Sequence, residues 1–466
     1  MNYYLAVDIG ASSGRHMLGY LENDKIIEEE IFRFETHSKL VGEKWVWECE
    51  ALVENVIKGM EACRDLGKIP TMIGIDAWGA DYVILDRDGG LLGNAADYRD
   101  EMALVGMMFE LENTIPYAAY YRKMGIGRMP IDTIYQLMAL KNSHPELLEK
   151  AGAVLMIPPF INYRLTGTIK QEYTSAVTTG LINATTQKWD RDTIEKLGFP
   201  VDAFTELYAP GEIVGHLSKE VQERVGFDCT VVLPAAHDTA SAFLAVPRED
   251  QHSVSVSSGT WSILGIVNDR PVTTPAAMEA GFTNEGAYPR QYRLSKNIIG
   301  MYMLETIRAS LGGKHDYAQL IGMAREADQI TSVIDMNNIM YLVAPDLIAA
   351  IKDDCSQSGQ QVPQTDGEVL QVFFHSLVTC YAKTIKDLEK VTGSKFTSFN
   401  IVGGGSLNDY VNELAVQATG LPVLAGPPEA TVTGNLMAQM IAGGEFANME
   451  AAQAACARTF PSRRFD

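Results

Sequence analysis

YLAVDIGASSGRHMLGYLEND, residues Tyr4 to Asp24, is the stretch from which the fold is read. Tyr4 to Ile9 is a short apolar run, containing Val and Ile and closed by Gly10, which predicts a buried strand rather than a helix. Met17 to Leu21 resumes the strand pattern before an Asn23-Asp24 turn. Between the two lies GASSGR. Its small residues let backbone N–H groups come close to a phosphate, Ser12 and Ser13 add hydroxyl donors, and Arg15 adds a fixed positive charge. Asp8, the one acid in the apolar run, is placed to hold a magnesium ion beside that phosphate, directly or through water. Two other readings stand beside this one. Gly10 to Gly14 also spells the G-x-S-x-G of a hydrolase nucleophile elbow, although an elbow runs from strand into helix and here strand follows. An ordinary Gly/Ser hairpin turn fits the same residues.

The signature returns in the second half. VSVSSGTWSILGIVND, Val254 to Asp269, aligns Ser257-Ser258-Gly259 with Ser12-Ser13-Gly14, and Asn268-Asp269 with Asn23-Asp24. Two phosphate-type hairpins, one in each half, predict a duplicated domain. With 466 residues the chain is too long for one ordinary core, and the repeat divides it at residues 1–245 and 246–466. The net charge of −21 argues against a general nucleic-acid binder, so an anionic ligand needs a local basic or amide-rich pocket. No apolar run reaches the length of a membrane span, and MNYYLAVDIG lacks the basic start of a signal peptide. The six Cys are scattered without C-x-x-C or zinc spacing, which reads as reduced thiols in a cytoplasmic protein.

Along the chain, Glu48 to Leu66 spaces its apolar residues as an amphipathic helix. GIDAWGADYVILD, Gly74 to Asp86, reads as a strand ending near Asp76, a tight Trp78-Gly79 element and a second strand. The Trp78 indole fits either core packing or a platform for a sugar ring. Tyr98-Arg99-Asp100 is a compact polar cluster, and Glu172 to Asn183 reads as irregular. In PAAHDTASA, Pro234 to Ala242, His237-Asp238-Thr239 opens a helix after a strand. Asp238 there is either an N-cap or a general base at the junction of the two halves. RLSKNIIGMYMLE, Arg293 to Glu305, reads as a basic turn entering a helix, with Asn297 near its start and Glu305 about two turns on. Strand, then Gly403-Gly404-Gly405, then helix offers bare backbone to a flat ligand.

Taken in order and spacing, AVDIGASSGR, GIDAWGADYVILD, ADYRDE, PAAHDTASA, VSSGTWSILG, FTNEGA, LSKNIIGMYMLE and NIVGGGSLND resemble the FGGY carbohydrate kinases over essentially the whole chain. The resemblance implies an α/β fold of two ribonuclease-H-like domains, as in actin and hexokinase, around a central cleft for ATP and sugar. It implies that Ala11 to Arg15 (Ala11, Ser12, Ser13, Gly14, Arg15) form the first phosphate loop. Thr260 belongs to the second loop, and Glu305 and Gly404 lie on the ATP side. It makes Asp238 the catalytic base and puts Gly79, His237, Thr239 and Asn297 on the sugar side. The implied reaction moves the γ-phosphoryl of ATP, with Mg²⁺, to a ketose hydroxyl: L-rhamnulose first, with L-fuculose, xylulose and ribulose as alternatives. Implied partners are sugar and ATP, without nucleic acid or membrane, in a monomer or homodimer. Relatives usually carry Gln at Glu305 and Asn at Asp132, and Phe34 to Trp47 matches only loosely. An actin- or Hsp70-like ATPase would turn over nucleotide without sugar, and a serine hydrolase would need Ser12 for ester turnover.

Overall fold

The opening hairpin forms where the pattern places it. In a computed structural model, which describes residues 1–42, 44–98, 104–247, 250, 252–342 and 344–466, Tyr3–Ile9 (β1) and Ser13–Glu22 (β2) pair antiparallel, with Ile9 opposite Gly14 and Asp8 opposite Arg15. Lys25–Glu35 (β3) extends the hairpin. Pro70–Ala77 (β4) adds to the other side of β1 in parallel, followed by Thr230–Val232 (β6), also parallel, and the antiparallel edge strand Ile213–His216 (β5). The sheet order is β5-β6-β4-β1-β2-β3. Because β1, β4 and β6 are parallel, their C-terminal ends open on one edge, where open α/β sheets place ligands.

The chain forms two compact units. The first takes in Met1–Ala245 together with Val267–Leu294 and Thr431–Thr459. Helix Cys49–Asp65 covers its sheet with Leu52, Val53, Val56, Ile57 and Met60, the stripe the spacing marks. A late helix, Ala430–Ala442, packs against the same sheet, with Asn435 meeting Gly74 across more than 350 residues of sequence. Gly74 gives it room: a Cβ there would lie 2.6 Å from Asn435 Oδ1. Asn435 Nδ2 donates to Gly74 O and to Asp76 Oδ2, and Gln439 Nε2 donates to Leu5 O and Asn435 Oδ1. These amides satisfy polar groups at the sheet surface that an apolar helix would leave buried and unpaired.

The second unit takes in Val246–Ile266, Ser295–Ala430 and Phe460–Asp466. It is built on a second hairpin, Ser253–Ser258 (β7) and Trp261–Asn268 (β8), with Ser258 opposite Ser262. Ser398–Val402 (β11) joins β7 in parallel, Val423–Ala425 (β12) joins β11, and Arg463–Phe465 (β13) closes the edge antiparallel. Between them in sequence, Thr283–Ala287 (β9) belongs to the first unit, and Gln291–Ile299 (β10) crosses from the first unit to the second at Leu294/Ser295. Helix Asp366–Thr392, opened by a Thr365/Glu368 capping box, packs its Tyr381 hydroxyl 2.7 Å from Ser262 Oγ.

Three expectations are corrected. RLSKNII is strand, not turn and helix: β10 runs to Ile299 and the helix spans Met301–Ser310, so Asn297 sits on a strand and Glu305 in the second turn of the helix. Most of β10 is buried on both faces, Tyr292 to Ser295 consecutively, which erases the period-two pattern. Glu172 to Asn183 is not irregular, because the Glu172 carboxylate accepts from the Thr174 and Ser175 amides and starts helix Tyr173–Val177, too short for periodicity to show. The Ser-Ser-Gly motifs do not occupy equivalent places. Ser13-Gly14 begins the outgoing strand of the first hairpin, whereas Ser257-Ser258 ends the incoming strand of the second and Gly259 makes the turn. Of the polar cluster at Tyr98, Arg99 and Asp100 lie outside the described residues. All six Cys are buried free thiols, and among the described residues no helix is long and apolar enough to cross a membrane.

Trp78 belongs to the core. Its ring lies 4.4 Å from that of Trp47, and both indole N–H groups donate to Asp81 Oδ2, at 2.8 and 2.6 Å. Gln136 Nε2 donates to Asp81 Oδ1 and Tyr98 N to Oδ2. Asp81 is fully buried, and that burial lifts its carboxyl to about 7 against these donors. Asp81→Ala orphans two indole N–H groups at once and should cost about 3–5 kcal/mol. Denaturant unfolding followed by tryptophan fluorescence checks this, and an unchanged midpoint would contradict it.

Candidate active site

The open edge of the first sheet gathers acids. Asp8 and Asp76 stand level on adjacent parallel strands. Past β6, the chain runs through Pro234 to His237, which bridges to Ala77 of β4, and Asp238 then begins helix Asp238–Leu244. Each acid has its own environment. Asp8 Oδ2 accepts from Arg15 Nη2 at 2.8 Å and Nε at 3.1 Å, across the hairpin. Asp76 is fully buried with Oδ1 unpartnered, and burial first, then the Asp8 charge, pushes its carboxyl well above the usual carboxylate range. The two neighbouring acids thus have different surroundings, Asp8 against a guanidinium and Asp76 buried behind it. Asp238 is about one-third exposed, and its Oδ1 accepts from Thr239 N at 2.5 Å and Thr239 Oγ1 at 3.0 Å.

His237 is buried beside it. Nε2 lies 3.5 Å from Asp238 Oδ1, and Arg293 Nη2 donates to Nδ1 at 3.4 Å. Arg293 is fully buried and paired with Glu285, whose Oε2 is 3.5 Å from Nδ1. Burial holds the imidazole below its ordinary range, so it is neutral at neutral pH. Its backbone N donates to Thr174 Oγ1, which donates to the buried Glu172. Asp132 lies outside its helix Thr133–Ser143 as N-cap residue but makes no capping bond, and one of its carboxylate oxygens is buried without partner. Burial, then the Glu285 charge, pushes it well above the carboxylate range. Gly79 is packed against Thr178, where a Cβ would lie 2.8 Å from Cγ2.

The first turn is clipped by Thr36, whose Oγ1 donates to Gly10 O and whose N donates to Ser12 O. Ser12 and Ser13 are exposed, and beside them opens a cavity of about 520 Å³ lined by Ala11, Ser12, Thr36, His37, Ser38, Trp45 and Asp97. Gly14 faces inward, against the Phe34 ring.

In the second unit, Gly259 and Thr260 make the hairpin turn and are exposed, and their carbonyls accept from Met301 N and Tyr302 N at the start of helix Met301–Ser310. Gly403 and Gly405 pack on Ser258, while a Cβ on Gly404 would meet nothing within 4 Å. The triple glycine thus combines two packing positions with one open one. Glu305 is paired: Arg308 donates to both its oxygens and Tyr317 to Oε2 at 2.8 Å, which holds the carboxyl below its ordinary range. Asn297 Oδ1 is buried and unpartnered.

The structure thus brings Asp8, Arg15, His237, Asp238 and Thr239 to one edge of the first unit, and groups Thr260 with Gly404 beside Ser258 in the second. Sequence reasoning passed over Asp76, Glu285, Arg293 and Asn435. One signal was present: an asparagine inside a small-residue helix, which must find a partner once buried. Gly14→Val drives a side chain into Phe34 and should lower the melting temperature by several degrees, as a ~1–3 kcal/mol overpacking does. Gly259→Val, whose nearest Cβ contact is Trp261 O at 3.8 Å, should leave it within about a degree. Calorimetry on the two variants tests this; equal losses would contradict it.

Residues 3–245 match the N-terminal domain, and residues 254–443 the C-terminal domain, of the FGGY family of carbohydrate kinases. The chain is 40% identical over 449 residues to a rhamnulokinase of Oceanobacillus iheyensis, covering 96% of this chain and 95% of the relative. It is 40% identical over 465 residues to a rhamnulokinase of Halalkalibacterium halodurans, covering 100% and 99%. Among solved structures, a ligand-bound xylulose kinase from Lactobacillus acidophilus superposes with a TM-score of 0.81 at 19% identity, over 100% of this chain and 93% of that one. Plasmodium falciparum glycerol kinase with ADP superposes at 0.79 and 15%, over 98% and 93%, and these two likenesses establish the two-domain sugar-kinase fold. With both halves of the family matched in order along one chain, this protein belongs to the FGGY family of carbohydrate kinases.

Proposed function

We propose that the protein transfers the γ-phosphoryl of ATP to the C1 hydroxyl of L-rhamnulose. The observation that carries this reading is the match along the full chain to proteins named rhamnulokinase. In this reading residues 1–245 supply sugar binding, the first phosphate loop and the base, and residues 246–466 supply the second loop and the adenosine site. Phosphoryl transfer is mainly a problem of positioning and charge, so the protein must align the hydroxyl, accept its proton and cradle the phosphates. Asp238 is the base. Thr239 N and Thr239 Oγ1 both donate to its Oδ1, and His237 Nε2 lies 3.5 Å from the same oxygen, which leaves Oδ2 for the incoming hydroxyl. Gly79, His237, Thr239 and Asn297 face the sugar. Ala11 to Arg15 and Thr260 hold phosphates, and Gly404 admits the adenine ring.

The donor set fits Mg²⁺. That ion keeps several waters and takes one or two carboxylates plus phosphate oxygens, so a single partly exposed carboxylate suffices, and Asp8 is one, with 13% of its side chain exposed. Asp8 would hold it, and the ion would neutralise charge on the β- and γ-phosphates. We place the enzyme in the cytoplasm, as a monomer or homodimer.

ADP release measured against L-rhamnulose, L-fuculose, D-xylulose, L-ribulose and glycerol should give the highest kcat/KM with L-rhamnulose. Turnover that is equal without sugar would favour the ATPase reading. Asp238→Asn should lower kcat by about 10²–10⁴ while leaving ATP affinity nearly intact, and wild-type turnover in that variant would remove the base assignment. Because Arg308 and Tyr317 already compensate Glu305, Glu305→Gln should change ATP affinity by no more than ~1.5 kcal/mol, with little dependence on salt. Calorimetric titration at low and high salt checks this, and a large salt-sensitive gain would mean that the carboxylate faces the phosphates.

A further inference from the structure

We propose that the buried Arg293–Glu285 pair is a positioning device for catalysis: Arg293 fixes the tautomer of His237 so that Nε2 carries the proton and directs it at Asp238 Oδ1. The inference rests on Asp238 being the base.

A guanidinium has five N–H donors and no acceptor, so the Arg293 Nη2 contact to His237 Nδ1 at 3.4 Å requires a lone pair on Nδ1. A neutral imidazole carries one proton, which must then sit on Nε2. Burial favours that neutral ring over the imidazolium. Nε2 faces Asp238 Oδ1 at 3.5 Å, a distance of the kind that tightens when substrate binds. The Thr239 amide and hydroxyl reach the same oxygen, so the three donors hold the carboxylate in one orientation.

Glu285 is the competing influence. Its Oε2 lies 3.5 Å from Nδ1 and, acting alone, would favour a proton there. It does not act alone, since Arg293 Nη2 contacts that same oxygen. A charge-assisted bond to a guanidinium outweighs one to a neutral imidazole, so the carboxylate is committed to Arg293. Glu285 is needed because Arg293 is fully buried, and an unpaired guanidinium there would be strongly destabilising. The remaining neighbours leave this assignment unchanged: the Phe243 ring stacks 5.3 Å from the Arg293 guanidinium carbon, and Thr174 engages only the His237 backbone.

The direct test is a long-range ¹⁵N–¹H correlation on the wild-type protein labelled with ¹⁵N-histidine, with His237 assigned by loss of its signal in His237→Asn. A deprotonated Nδ1 and protonated Nε2 at neutral pH support the proposal; the reverse tautomer, or an imidazolium, overturns it. The kinetic test is Arg293→Met with Glu285→Leu, which removes both charges together. It should lower kcat by about tenfold or more while the KM for ATP stays within about twofold, and in an Asp238→Asn background the same double change should cost little further. An unchanged kcat in the folded variant overturns the positioning role, and if the variant does not fold, the tautomer measurement alone decides. Full activity of Asp238→Asn would instead remove the base assignment while leaving the tautomer result standing, so the two failures are distinguishable.

Discussion

Parallel pairing of β1 with β4 puts Asp8 level with Asp76 at the end of a buried sheet, and much of the site is arranged around that placement. A charge on one of two neighbouring acids disfavours a charge on the other where water is excluded. The chain separates them by environment. Asp8 meets Arg15 from the next strand, whereas Asp76 is sealed under the helix Ala430–Ala442 and takes one amide hydrogen bond from Asn435. The result is one acid paired with a guanidinium and, beside it, one buried acid pushed well above the usual carboxylate range. A helix from the end of the sequence belongs to the first unit and brings the Asn435 amide that donates to this buried acid.

The same logic recurs at three other buried acids. Asp81 is saturated by two indoles, a glutamine and a backbone amide, and Glu172 accepts from the first amides of a helix and from the Thr174 hydroxyl beneath His237. Glu285 is neutralised by Arg293. Glu172 through Thr174 and Glu285 through Arg293 both reach His237, so the surroundings of Asp238 are held by polar bonds as well as by packing.

What was legible in the sequence was local. The first hairpin, the helix Cys49–Asp65 and the start of Asp238–Leu244 follow from runs, spacing and turn residues confined to a few positions. The family's motifs then supplied the residue roles that spacing alone left open between an N-cap and a base. What stayed hidden depends on contacts distant in sequence or on burial of both faces. Asn435 reaches Gly74 and Asp76 across more than 350 residues of sequence, and β10 reads as turn and helix because its consecutive buried residues mimic one turn of a helix, which hides Arg293 although Glu285 lies only eight residues before it. The Ser-Ser-Gly repeat misled in a different way, since two hairpins of the same design place the same tripeptide on opposite strands.

The central claim is that Asp238 meets the hydroxyl that receives the phosphoryl group. A crystal structure of the protein with L-rhamnulose bound tests it most directly. The account predicts the C1 hydroxyl oxygen about 2.6–3.2 Å from Asp238 Oδ2. A sugar seated instead in the cavity between Ala11, Trp45 and Asp97, with no hydroxyl in reach of Asp238, would contradict it.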